Sequence, residues 1–91
     1  MDNSILSRFK RFDDLGGAMS SGSSRVIIYS PESRVLNYHL NRTAAFLDEL
    51  GVGFSISRSN ATIRTESIQI IFSSDTEKLR GYEIGTPIVL F

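Results

Sequence analysis

Arg25-Val-Ile-Ile-Tyr29-Ser30-Pro31-Glu32 is the stretch that decides the fold. The unbroken β-branched and aromatic run Val26 to Tyr29 predicts a strand buried on both faces, because a strand with one wet face would alternate apolar and polar residues. Ser30 then supplies a capping hydroxyl, Pro31 suits the first helical position, and Glu32 complements the positive end of a helix dipole. Strand, tight turn and helix follow in that order.

On the carboxyl side, Leu36, Leu40, Ala44, Leu47 and Leu50 recur at helical spacing, and Gly51 offers a left-handed stop, which predicts one long helix over about 31–50. The period then changes. Phe54 and Ile56 alternate with Ser55 and Ser57, predicting a strand closed by an Arg58-Ser59-Asn60 turn. Thr62-Ile63-Arg64 and Ile68-Gln-Ile-Ile-Phe72 flank Thr65-Glu66-Ser67 as a hairpin, although its turn lacks Asn-Gly. Ser74 or Asp75 caps a single helical turn, Thr76 to Arg80, ended by Gly81, and Pro87-Ile-Val-Leu-Phe91 forms a last apolar strand. The expected architecture is a single small α/β domain with a mixed, mostly parallel sheet.

On the amino side, Ile5, Phe9 and Phe12 stand at i, i+4 and i+7 within residues 4–15, the spacing of a short amphipathic helix. At that length it would need the core or a partner to dock on. Gly16, Gly17 and the serine-rich run Ser20 to Ser24 read as a flexible linker, so residues 1–24 are expected to be an appended segment and 25–91 the α/β domain.

The chain of 91 residues is 41% apolar and 22% charged, which suits an ordinary globular domain with one core. Its ten basic and ten acidic residues cancel, so no global field steers it toward nucleic acid or an anionic membrane. The lack of cysteine excludes disulfides, zinc-thiolate sites and thiol nucleophiles. No apolar run approaches the ~20 residues of a membrane span, and no secretory signal is evident, so a cytoplasmic protein is expected.

Candidate chemistry is sparse. Gly17-Ala-Met-Ser-Ser-Gly22-Ser23-Ser24 has the spacing of a phosphate loop, but Ser23 stands where the lysine that neutralises phosphate charge would be. A strand rather than a helix is expected to follow it, and none to precede it. His39, the only histidine, has no acid at i±3 or i±4 to orient it as a base, and no serine lies in a G-x-S-x-G elbow. No catalytic residue, cofactor or metal site is therefore expected. One constellation remains: Arg25, Arg58, Arg64 and Arg80 could gather along one side of the sheet, with Phe54 and Tyr82 as stacking surfaces, while Ile5, Phe9 and Phe12 offer a second contact.

Ile27-Ile-Tyr-Ser-Pro31, Ile70-Ile-Phe-Ser-Ser74 and Lys78-Leu-Arg-Gly81 resemble, in order, short motifs of the RecA-like ATPase core of phage terminase large subunits and superfamily 2 helicases. The resemblance implies that Ile88-Val-Leu-Phe91 occupies the place of the strand that carries the family's acidic metal ligands. Those acids do not follow it in this sequence, and with Ser23 at the lysine position a non-catalytic, phage-type accessory protein is implied rather than an ATPase. A second resemblance is to glutaredoxin- and thioredoxin-like domains, through Val26-Ile-Ile-Tyr-Ser30, Glu49-Leu-Gly-Val-Gly-Phe54 and Gly85-Thr-Pro-Ile88. Without a C-x-x-C pair it implies a scaffold unable to exchange disulfides. Both lead to a non-enzymatic interaction or regulatory module that binds a protein partner, with nucleic acid as the alternative partner and self-association through open strand edges as a further expectation.

Overall fold

The sheet that forms around Val26–Tyr29 has six strands. In a computed structural model of the chain, residues 9–82 and 85–90 are described. In chain order the elements are β1 (Lys10–Phe12), α1 (Leu15–Met19), β2 (Arg25–Tyr29), a 3₁₀ turn (Ser33–Val35) leading into α2 (Leu36–Glu49), β3 (Phe54–Ser57), β4 (Thr62–Thr65), β5 (Gln69–Ser73), a second 3₁₀ turn (Thr76–Gly81) and β6 (Pro87–Leu90). Across the sheet they stand β1-β6-β2-β5-β4-β3. The first four are mutually parallel, while β4 is antiparallel to both β5 and β3.

The two faces of β2 found two cores. Val26 and Ile28 pack with Ile63, Ile70, Phe72 and Val89 beneath Leu40 and Leu47 of α2. Ile27 and Tyr29 pack on the opposite side with Ile71 and Ile88, under Leu79 of the second 3₁₀ turn. The chain crosses from β1 to β2 over the first face by way of α1, and from β5 back to β6 over the second face. Opposite travel over opposite faces gives both crossovers the same hand.

α2 is shorter at its start than its spacing predicts. Ser30 Oγ accepts the Glu32 N–H at 3.4 Å, but Glu32 itself is extended, so Pro31 lies outside the helix and the first turn is 3₁₀. At the other end Gly51 takes φ +73°, its N–H donating to the Asp48 carbonyl and that of Val52 to the Leu47 carbonyl. That is a Schellman closure. Thr43 joins Leu40 and Leu47 in the buried stripe, whereas Leu50, expected there, is 57% exposed at the helix terminus. The hairpin turn manages without Asn-Gly because the Thr65 hydroxyl accepts the N–H groups of Ser67 and Ile68 and donates to the Ile68 carbonyl.

The amino-terminal region departs most from expectation. Lys10–Phe12 is no helix but a parallel strand paired with β6, and Phe9 and Phe12 join opposite cores rather than one amphipathic stripe. Ile5 lies outside the described residues. The expected linker contains α1, whose amino end is capped by the Asp14 carboxylate accepting the Gly17 N–H at 2.6 Å. Ala18 is wholly buried against the first face, so the body begins before residue 25. Weak helix formers such as Gly16 and Gly17 are held helical by this cap and by tertiary burial, which overrides propensity. Among the described residues no helix is long and apolar enough to cross a membrane.

Candidate functional site

Strand register, rather than sequence proximity, assembles the arginine site. Gln69 of β5 is opposite Arg25 on one side and Arg64 on the other, so the three form a row across β2, β5 and β4. Their apolar neighbours Val26, Ile63 and Ile70 all face α2, and alternation turns the row to the other side of the sheet. Two strand spacings separate Arg25 from Arg64, about 10 Å. Both arginines line a crevice of about 230 Å³ with Gln69, Ser24 and Glu66. Among the described residues neither arginine has an ion-pair partner. The Arg25 guanidinium lies 5.9 Å from the centre of the Tyr82 ring, a contact that holds the cation over an aromatic face.

The other expected members go elsewhere. Arg58 turns to the α2 side, donating to Asn37 Oδ1 at 2.8 Å and Asn41 Oδ1 at 3.0 Å, a fork that ties the β3–β4 turn to two successive turns of the helix. Phe54 packs on the same α2-facing core. Arg80 is bound to Glu77 at 2.9 Å within the second 3₁₀ turn. The expected set of four arginines and two aromatic rings thus reduces to Arg25, Arg64 and Tyr82. Gln69 is the member that reading by residue type passed over, because an uncharged amide carries no signal until pairing places it between two cations. The hairpin turn at Thr65 sets that pairing.

A second, larger hollow of about 400 Å³ lies farther along β5. Its walls include Thr62, Gln69 and Ile71 of the sheet and Lys78, Leu79 and Tyr82 of and beside the 3₁₀ turn. Asp75 caps that turn by accepting the Glu77 N–H at 2.9 Å, and its own N–H donates to the Ser73 hydroxyl at the end of β5 at 3.1 Å, which ties the wall to the sheet.

The phosphate-loop spacing does not become a phosphate loop. A strand does precede it, contrary to expectation, but Gly17 lies inside α1 and Gly22 beyond its end, so the stretch is not the strand-to-helix loop that directs N–H groups at a phosphate. His39 is half-buried on α2, with its ring edge-on to Tyr38 at 5.5 Å. Burial, and secondarily the charge of Arg42, pull its pKa below the ordinary 6.5. The folded state therefore binds the proton less well than the unfolded chain, and this stability contribution is complete above pH 6.5 and lost as the pH falls toward the lowered folded value. His39→Gln is expected to flatten the decline in stability between about pH 7 and pH 5, measured by urea unfolding at stepped pH. An unchanged slope would assign that decline to other groups. Among the described residues no cluster of three or more His, Asp or Glu could hold a metal ion.

Set against protein-family models, curated proteins and solved structures, the chain has no match.

Proposed function

We propose that this chain is a non-catalytic interaction module that binds an acidic protein surface through the Arg25–Gln69–Arg64 row. The observation behind the reading is the row itself: two guanidinium groups that register brings to one face, neither with an ion-pair partner among the described residues. A planar guanidinium matches a carboxylate with two parallel hydrogen bonds, and the net charge of zero makes such attraction local rather than long-range. Descent from a RecA-like core is compatible with this reading, since β6, β2 and β5 stand as adjacent parallel strands and Ser23 removes the charge a nucleotide would need. The thioredoxin-like alternative has less behind it, the Thr86–Pro87 bond being trans. A cytoplasmic location goes with the proposal.

One observation favours a second partner class. Arg25 over Tyr82 is the pairing of cation and ring on which single-stranded nucleic acid stacks. The two readings separate in one titration. A fluorescent glutamate-rich peptide and a labelled thymidine 12-mer are titrated with the protein and with its Arg25→Ala/Arg64→Ala variant. The expected result is peptide binding that weakens with salt and falls at least ten-fold in the variant. Preferential binding of the oligonucleotide would transfer the site to the second reading. Binding of neither would make the row a solvated strand face, and nucleotide hydrolysis by the purified protein would end the non-catalytic reading.

A further inference from the structure

Hydrogen-bond alternation fixes which backbone groups of β3 face outward. In the β4–β5 hairpin the Thr65 N–H donates to the Ile68 carbonyl at 2.8 Å and the Phe72 N–H to the Ala61 carbonyl at 2.9 Å, so odd-numbered residues along β4 direct their backbone groups toward β5. Thr62 and Arg64 therefore turn theirs toward β3, where they meet Ser57 and Ser55. The N–H and C=O groups of Phe54 and Ile56 are left pointing away from β4, and β3 is the last strand of the sheet. Nothing among the described residues pairs with those four groups. Natural edges are blunted by charge, proline or a bulge. Phe54-Ser55-Ile56-Ser57 has none of these, its register with β4 being one-to-one throughout, whereas β1 at the opposite end carries Lys10 and Arg11.

We infer that β3 pairs antiparallel with β3 of a second copy of the chain, about a twofold axis through Ser55. Phe54 then stands opposite Ile56 of the second copy and exchanges two hydrogen bonds with it, and Ile56 does the same with the second copy's Phe54, so every free group of one edge meets a free group of the other. Moving the axis to Phe54 would call on Val52, whose N–H already donates to the Leu47 carbonyl, and moving it to Ile56 would call on Arg58, whose carbonyl already accepts the Ala61 N–H. The side chains agree with this register. Phe54 packs on the α2-facing core and Ile56, two residues on and 36% exposed, shares that face, so an aromatic ring meets a branched aliphatic chain at both pairs. The antiparallel direction also brings Arg58 of each copy toward the end of the other's α2, where Asp48 and Glu49 stand, so opposite charges share each end of the interface. On the other face Arg64 is opposite Ser55, and Ser55 would be opposite its twin, so the two arginine rows become one: Arg25, Gln69, Arg64, Ser55 and the same four in reverse. Three strand spacings, about 14 Å, separate the two Arg64 residues, beyond the roughly 8–10 Å over which exposed charges stay coupled in salt. The dimer would offer an acidic partner two sites at a fixed spacing, although its formation does not depend on the acidic-partner reading. Four hydrogen bonds along a short edge make it a weak, concentration-dependent one.

Sedimentation velocity of the full chain over a wide range of concentration should show monomer passing to dimer. Ser55 is exposed, so its substitution leaves the core untouched, and circular dichroism checks the fold of each variant. Ser55→Lys sets like charges opposite each other at the axis and should weaken dimerisation about five-fold or more, whereas Ser57→Lys, which would face Gly53 of the second copy, should leave it near the native level. The chain has no cysteine of its own, so a single introduced thiol reports the register. Mild oxidation should join two copies of Ser55→Cys, whose Cα atoms would stand about 4.5 Å apart, and should not join Ser57→Cys. A monomer at every concentration would leave the β3 edge to a strand of some other protein and overturn the inference. Dimerisation that Ser55→Lys does not weaken overturns it as well, because the contact then lies elsewhere. Cross-linking through Ser57→Cys in place of Ser55→Cys overturns the register.

Discussion

Ile28→Ala is expected to lower the unfolding free energy by about 2–5 kcal/mol, the range for removing a fully buried Ile or Leu side chain in a core that closes only partly around the gap. Ile28 has no exposed surface and sits at the crossing of both directions of packing. It pairs with Phe72 of β5 and Val89 of β6 within the sheet, and α2 closes over it. Small domains hold only roughly 0.05–0.15 kcal/mol per residue, so the loss would be a large share of the whole. Urea unfolding measures it, with Ile56→Ala on the edge strand as the comparison. Ile56 is 36% exposed, and its truncation should cost less than about 1 kcal/mol. Equal losses at the two positions would mean that β2 is not the centre of the core.

Ala18→Asp is expected to be nearly as damaging, for a different reason. The Ala18 methyl is wholly buried between α1 and the sheet, and a carboxylate there would be desolvated without a partner, at an effective cost of several kcal/mol. The measured loss is bounded by the free energy needed to undock α1, since the chain can escape the penalty by releasing that element alone. Amide exchange distinguishes the two outcomes: protection should fall in β1 and α1 first, with β2 and β5 retained if release is local. Ser24→Asp, at an exposed position a few residues on, is the control and should change little. If Ala18→Asp were equally silent, residues 16–24 would be the linker that their composition suggests.

These two sites show where composition informs and where it misleads. The strand at Val26–Tyr29, the helix ending at Gly51, the hairpin around Thr65 and the closing strand at Pro87 were all legible, because each is written in local terms: period, capping group, turn residue. The region before residue 25 was not. Glycine and serine lower the intrinsic preference for helix but do not forbid it, and a three-residue strand leaves too short a pattern for any period to register. What holds Lys10–Phe12 and Leu15–Met19 in place is burial of Phe9, Phe12 and Ala18 against strands far along the chain.

The candidate site divides in the same way. Its residue types could be named in advance, but not which of them meet. Arg58 and Arg64 are six residues apart and belong to opposite sides of the sheet, whereas Arg25 and Arg64, thirty-nine positions apart, share a row. Sequence by itself determined the class of fold, the position of the long helix and the strand that anchors it, because hydrophobic period and capping act over a few residues. Tertiary structure alone decided the strand order, the docking of the amino-terminal strand and α1, and the meeting of Arg25, Gln69 and Arg64. Those depend on pairing register between distant segments, where a slip of one residue would turn every side chain to the other face.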